Sequence, residues 1–281
     1  MKLLVHLHLY YHNQVDYFIE KLSNIEGCDW DLYVTYVEEN PKTFEKIKNL
    51  KPEAKFFKVK NIGYDVWPFI QVLRDINLSD YDYILKLHTK NQCKINFSQY
   101  KFIGKFQEYQ WRNELIKPLI GSRSIFRKNL NYMKKPDTGI IASKLLTLKA
   151  ITMRKEETDL LDNLLIRLNI KSDNRYFVAG TMFIIKSDAL RILKYSDICE
   201  KDFISIVMKT GGGGTIAHAL ERIFITLALE NNLKVYKIQN YPLYLKFLSE
   251  KFVKNIFSLV NSNDKRHKIL TIFGIKLAFK R

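Results

Sequence analysis

Asp80-Tyr81-Asp82 has the form Asp-x-Asp, two carboxylates spaced to share a divalent cation and the diphosphate it neutralises. The residues that follow, Tyr83 to Leu87, form a mostly apolar run, so the acidic pair stands at the amino end of a strand. In an open α/β sheet the ligand crevice lies beyond the carboxyl ends of the strands. That end of the same strand carries His88-Thr89-Lys90: an imidazole, a hydroxyl and an ammonium. A diphosphate needs positive charge and hydrogen-bond donors, and Lys and His supply both directly. Asp80 and Asp82 therefore read as turn residues after Asn77-Leu78-Ser79, and His88 and Lys90 as diphosphate ligands rather than a solvated strand end. No metal ligand is assigned, and the diphosphate site is expected to work without one, although Mn2+ or Mg2+ is compatible with it.

Three further groups of residues belong with this one. In "NIGYDVWPF", 61 to 69, Gly63 permits a tight turn, and Asn61 and Asp65 are short polar groups suited to hydrogen-bonding a ribose, a base or a sugar hydroxyl. Asp65 equally suits the N-cap of a helix opening at Trp67-Pro68. In "AGTMFIIK", 179 to 186, Gly180 and Thr181 let a ring approach the backbone, or Gly180 reflects close packing. In "GTIAHALERIF", 214 to 224, His218 and Glu221 are three apart and share one helical face. The preceding run, 211 to 214, is four glycines and reads as a flexible loop. It lacks the GK[ST] ending of a phosphate loop.

The elements that must position these residues alternate. "KLLVHLHLYY" reads as a strand, "QVDYFIEKLSNI" as a helix, "DWDLYVTYV" as a strand and "FEKIKNL" as a helix. "AKFFKVKN" is extended, "DVWPFIQVLRDI" helical and "DYILKLHT" a fourth strand. This order implies an α/β fold with a mostly parallel sheet flanked by helices and a site at the strand carboxyl ends. Residues 95 to 135 are rich in aromatics and lysines with few clear strands. "TGIIAS" and "GTMFIIK" then read as two short strands.

Five separated stretches, "NIGYDVWPF", "KLHTK", "WRNELIKPLIGS", "AGTMFIIK" and "GTIAHALERIF", together resemble the rhamnan synthesis F family of bacterial cell-surface polysaccharide enzymes. The resemblance covers roughly residues 1 to 240. It implies a GT-A-like, Rossmann-type glycosyltransferase domain over 1–245 that moves a sugar from a nucleotide-sugar donor to a growing, lipid-linked glycan. On that resemblance, Asn61, Gly63, Asp65, His88 and Lys90 are expected to bind the donor. Gly180, Thr181, Trp111 and Arg112 are expected at the acceptor. The transfer is inverting or retaining, with inverting favoured; Glu221 is then the expected catalytic base, taking the acceptor hydroxyl's proton, with His218 orienting it, binding phosphate or serving structure.

Composition limits the partners. The 46 Lys+Arg against 29 Asp+Glu leave a formal charge of +17, which suits nucleic acid, an anionic membrane face or a phosphorylated substrate. No nucleic-acid motif appears and the charge is spread along the chain, so nucleic acid is not the expected partner. A non-catalytic protein that binds glycan or nucleic acid is the alternative. Cys28, Cys93 and Cys199 have neither metal nor disulfide spacing and read as reduced thiols of a cytoplasmic protein. The N-terminal run reads as a first strand rather than a leader, and no window has the length of a membrane span. The last segment, 246–281, reads as a basic amphipathic tail. From Lys251 to Arg281 it holds eight Lys/Arg against one acid, Asp264, interleaved with Phe, Ile and Leu. Such a segment either lies on an anionic membrane surface or packs on the domain with its lysines solvated. The first reading makes the protein peripheral at the inner face of the plasma membrane.

Overall fold

A computed structural model of the chain describes residues 1–92, 95–96, 105–150, 153–172, 174–204, 215–262 and 267–280. Its centre is a sheet built from strands β1 (Lys2–Leu9), β2 (Asp29–Tyr36), β3 (Lys55–Lys58), β4 (Tyr83–His88), β5 (Thr138–Ser143), β6 (Phe183–Lys186) and β7 (Lys234–Ile238). Their order across the seven-stranded sheet is β7-β5-β6-β4-β1-β2-β3. Every neighbouring pair is parallel except those of β6, which runs antiparallel to β4 and β5. The mostly parallel α/β sheet expected from the alternation of elements is therefore present.

Helices α1 (Val15–Leu22), α2 (Pro41–Leu50) and α3 (Val66–Asp75) connect the first four strands. Asn40 starts α2 by accepting the Thr43 N–H, with Pro41 in the first turn where its missing donor costs nothing. The stretch between β4 and β5, where the sequence shows few strands, contains α4 (Gln110–Ile120) and α5 (Arg123–Met133). Farther on lie α6 (Lys155–Arg167), α7 (Ile216–Glu221), α8 (Phe224–Glu230) and α9 (Tyr241–Ile256). Central strands β4 and β5 are buried along their whole length, as strands covered on both faces must be.

One face of β1 is wholly apolar, with Leu3, Val5, Leu7 and Leu9 buried. The other carries Leu4, His6 and His8, and the parallel register places His6 beside Lys86 and His8 beside His88 on β4. Thr35 of β2 lies next to His8. A polar row thus runs inside the layer between sheet and α3, where Phe69 stacks on His6 at 5.4 Å, and emerges at the carboxyl edge of the strands.

The C-terminal tail has a more definite form than one amphipathic segment. After α9 comes an antiparallel meander of β8 (Phe257–Asn261), β9 (His267–Ile272) and β10 (Ile275–Lys280), separate from the main sheet. Among the described residues no helix is long and apolar enough to cross a membrane. Cys28 is half-buried and Cys199 exposed, both free thiols. Cys93 and the four glycines 211–214 lie outside the described residues.

Candidate functional site

The carboxyl ends of β1 and β4, the loop before α3, the turn before β6 and the face of α7 enclose a cleft of about 600 Å³. That size suits a small organic ligand of nucleotide dimensions. Its floor is the end of the polar row. His8 Nδ1 and His6 Nε2 both meet the Thr35 hydroxyl, at 3.0 and 2.9 Å, which orients the His8 ring at the cleft wall. Burial pushes both imidazoles down, His8 to about 4, so they are neutral at physiological pH. His88 Nδ1 lies 3.0 Å from the Thr89 carbonyl and Nε2 lies 2.8 Å from the Gly180 carbonyl. Burial likewise brings His88 down to about 4, opposed by the nearby Asp65 carboxylate. The Thr89 hydroxyl accepts the N–H groups of Tyr10 and Tyr11 at 2.9 and 3.0 Å, so it ties the ends of β1 and β4 together.

Below the cleft sits an ion pair made by a residue that sequence reasoning passed over. Lys86, fully buried in the middle of β4, directs its ammonium at the Asp65 carboxylate. It also donates to the Thr181 carbonyl at 3.0 Å and to Thr181 Oγ1 at 3.2 Å. An ammonium has three donors, and all three are used. Thr181 Oγ1 in turn donates to Asp65 Oδ2 at 2.5 Å. Burial pushes the Asp65 carboxyl up, but His88, the Lys86 ammonium and the two hydrogen bonds outweigh it and hold it well below the usual carboxylate range. Asp65 immediately precedes α3 without capping it, since its side chain makes no cap hydrogen bond and is turned to Lys86 instead.

Both loops joined by this pair carry backbone in the left-handed region. Gly63 (φ 67°) and Tyr64 (φ 54°) lead into α3, and Gly180 (φ 105°) and Thr181 (φ 50°) lead into β6. A β-branched residue at positive φ is costly and persists where the surroundings dictate it. Here Lys86 and Asp65 hold the carbonyl and the hydroxyl of Thr181.

Glu221, at the end of α7, faces the cleft half-buried and accepts the Gly180 N–H at 2.7 Å through Oε1. Burial raises its proton affinity, against the Gly180 N–H and the charge of Lys90, which lower it. A carboxylate with raised proton affinity in a cleft is equipped to take a proton. His218 lines the same wall, but its Nδ1 pairs with Thr215 Oγ1 at 2.7 Å rather than with Glu221, and the Tyr64 ring meets it edge-on. Opposite, the Lys90 ammonium lies 3.6 Å from the centre of the Trp111 ring, whose indole N–H donates to the Ala179 carbonyl at 3.1 Å.

The structure thus brings Asn61, Asp65, His88, Lys90, Trp111, Gly180, Thr181, His218 and Glu221 around one cleft. Gly63 lies behind it, where an added Cβ would come within 2.5 Å of Phe203 and 2.6 Å of the Trp67 Cβ. Arg112 is also behind the wall: its guanidinium packs 3.7 Å from the Tyr17 ring and 4.1 Å from the Tyr109 ring and donates to Gln14. His8, Tyr10, Tyr11 and Tyr64 line the cleft without having been singled out. For His8 and for Lys86 the signal was faint: polar residues at period two in a strand otherwise apolar on both faces, and a lysine inside "YILKLH".

Asp80 and Asp82 are at the other edge of the sheet. Asp80 accepts from the Asn77 side chain at 2.9 Å and Asp82 from the Lys2 N–H at 2.6 Å, so both serve the turn into β4. In the cleft, Asp65 is engaged by Lys86 and Thr181, and one oxygen of Glu221 by the Gly180 N–H. Among the described residues no three His, Cys, Asp or Glu side chains converge as metal ligands.

The profile of the family described as rhamnan synthesis protein F matches residues 1–233, and the chain belongs to that family. Proteins described as uncharacterized protein WxcX, from two strains of Xanthomonas campestris pv. campestris, are 27% identical over 231 residues. The match takes in 80% of this chain and 31% of theirs, so the chain spans about a third of the length of these relatives. Among solved structures, S. aureus TarS 1-349 aligns over 95% of this chain and 68% of its own, at 10% identity and TM-score 0.46. The same protein in complex with UDP aligns over 90% and 66%, at 9% identity and TM-score 0.46. Glucosyl-3-phosphoglycerate synthase of Mycobacterium tuberculosis, in complex with Mn2+, UDP and glucosyl-3-phosphoglycerate, aligns over 98% and 87%, at 9% identity and TM-score 0.35.

Proposed function

We propose that this chain is a GT-A-like glycosyltransferase domain that moves a sugar from a nucleotide-sugar donor to a glycan acceptor in cell-surface polysaccharide synthesis. The observation that carries the reading is the pairing, within one cleft, of Glu221, a carboxylate of raised proton affinity, with the strand end bearing the Lys90 ammonium and the neutral His88 imidazole. Membership of a family described by rhamnan synthesis supports the polysaccharide context.

In this reading the donor diphosphate lies against Lys90 and the β1 and β4 strand ends, with Asn61 and Asp65 toward the nucleoside or sugar. The acceptor approaches over Trp111, Gly180 and Thr181. Its hydroxyl oxygen forms a bond to the anomeric carbon and gives its proton to Glu221. The bond from that carbon to the diphosphate breaks, and the nucleoside diphosphate leaves with the electron pair. The sugar passes through an oxocarbenium-like state, and attack opposite the leaving group inverts the configuration. Lys90 stabilises the charge that develops on the leaving group. Arg112 and Gly63 act indirectly, by holding the walls. The acceptor is lipid-linked and the enzyme works peripherally at the cytoplasmic face of the membrane.

A thermal-shift panel of nucleoside diphosphates and nucleotide sugars, with and without manganese, tests this. A ligand of the folded state at 100 times its Kd adds about 2.7 kcal/mol of stability, a clear rise in melting temperature. At least one nucleotide is expected to produce it in EDTA. No shift with any nucleotide, together with salt-sensitive binding of duplex DNA or RNA, would replace the transferase reading with a nucleic-acid one.

A further inference from the structure

We propose that the uncovered face of the C-terminal β8-β9-β10 meander is a docking surface for a bilayer carrying anionic headgroups. The proposal deepens the transferase reading, from which the membrane-borne acceptor comes, but its own observations are independent of the cleft. The antiparallel register puts Phe257, Ile272 and Ile275 in one cross-strand row and Leu259, Leu270 and Leu277 in the next. Phe279 of β10 extends the same face beside Lys268. All of these are exposed except Leu270 at the centre of the sheet, which is partly covered. The opposite face carries Thr271, which is buried, and Ser258, which is half-buried, and α9 packs against β8 and β9. That side is therefore partly covered, around Thr271, while Val260, Lys276 and Lys280 on it stay exposed, and among the described residues nothing covers the apolar side. A contiguous apolar face of this kind on a soluble body marks an interaction site.

The hairpin tip points the same way. Phe273 and Gly274 join β9 to β10 with φ of 47° and 84°, the signs of a two-residue type I′ turn. Glycine suits both central positions of such a turn, whereas a bulky aromatic at positive φ is strained. Phe273 is nonetheless 79% exposed, so the strain serves no packing within the described chain. An aromatic held out at a loop tip next to an apolar sheet face is suited to entry among headgroups and upper acyl chains.

Charge selects the lipid over a second copy of the chain. Between Lys251 and Arg281 there are eight basic residues and one acid, Asp264. Lys276 and Lys280 are exposed on edge strand β10, where lysines oppose the strand-to-strand pairing that would join two copies. Two copies would also bring like charges together, whereas an anionic surface attracts every one of them.

The test is flotation of the full chain with vesicles of phosphatidylcholine alone or with 30% phosphatidylglycerol, a composition chosen to carry charge. Partition is expected to be at least about tenfold stronger on the charged vesicles and to weaken with salt. Phe273→Asp with Leu277→Asp should cut it about tenfold or more while leaving the melting temperature within a degree or two, because both side chains are exposed. Lys268→Glu, which reverses the charge beside Phe279 on the same face, should weaken the preference for charged vesicles. Equal partition of the aspartate variant and the wild type overturns the proposal. So does a wild-type chain that ignores vesicles and forms a dimer that the same variant disperses. Nucleotide shifts measured on the same samples keep the two readings apart: retained shifts without vesicle binding remove only the docking surface.

Discussion

Thr181 Oγ1 donates to Asp65 Oδ2 at 2.5 Å, joining two loops separated by 116 residues of sequence, with the Lys86 ammonium set against both side chains. Asp65 belongs to the loop before α3, and Thr181 to the turn before β6, whose Gly180 supplies the N–H that holds Glu221. The cationic strand end and the carboxylate of the cleft are therefore fixed to each other through one buried cluster. Preorganisation of this kind is what a transfer reaction needs, because misplacement of a reacting group by about 1 Å is costly.

Lys86→Met should remove the ammonium and leave the buried Asp65 carboxylate unpaired, costing about 3–5 kcal/mol of unfolding free energy. Adding Asp65→Asn removes the stranded charge and should restore much of that loss. Urea unfolding of the three proteins checks it. A single variant as stable as the wild type would show that the pair is not the brace of the cleft.

Donor affinity should be the same in EDTA as in manganese, since Asp65 is taken up by Lys86 and Thr181 and one oxygen of Glu221 by the Gly180 N–H, and Lys90 supplies the positive charge. Lys90→Ala should weaken nucleotide binding by about 1.5–3 kcal/mol, a factor of roughly ten to a hundred, as expected for a lost charge-assisted hydrogen bond. Asp80→Ala should leave binding unchanged. Titration calorimetry decides, and affinity lost in EDTA or in Asp80→Ala would return the Asp-x-Asp to a metal-binding role.

Gly63→Ala should destabilise by about 1–3 kcal/mol, because its left-handed φ of 67° disfavours any Cβ and the added carbon would press on Phe203 and Trp67. Gly274→Ala, with open space around the added carbon, meets only the conformational part of that cost. Equal melting temperatures for wild type and Gly63→Ala would remove the steric argument.

These residues mark how far the sequence could be read. The alternation of elements implied the parallel sheet and its active edge, and the position of Asp80 and Asp82 at the amino end of β4 was legible from the apolar run alone. His88, Lys90 and Glu221, which do line one cleft, drew notice because polar residues at strand ends and helix faces stand out. Lys86 was not, because a lysine inside an apolar strand declares its role only when the partner from a distant loop is known. Arg112 misled for the same reason: its aromatic stack with Tyr17 depends on tertiary contact between α1 and α4. The tail's strands escaped because its spacing of basic and apolar residues fits an amphipathic helix and a twisted hairpin alike.

Glu114 gives the stability a pH dependence. It is buried, with Ser143 donating to Oε1 at 2.5 Å and Asn240 to Oε2 at 2.6 Å, and burial raises its carboxyl from 4.5 to about 7. A raised folded value means that the stabilising contribution is full below about 4.5 and is lost as pH rises through about 7. The loss amounts to roughly 3 kcal/mol at most. Glu114→Gln should remove that decline, so its melting temperature should gain on the wild type between pH 5 and pH 8. Parallel pH profiles for the two proteins would contradict it.

The most direct measurement is kcat and donor Kd of Glu221→Gln against wild type across pH. Gln keeps the size of the side chain and an oxygen for the Gly180 N–H, and loses only the proton acceptor. Turnover should fall by about 10²- to 10⁴-fold with donor Kd little changed. The wild-type kcat should decline on the acid side at a pH above the ordinary carboxylate range, since burial raises the Glu221 carboxyl, and this limb should vanish in the variant. Near-normal turnover in Glu221→Gln, with the acid limb intact, would contradict Glu221 as the base that takes the acceptor's proton.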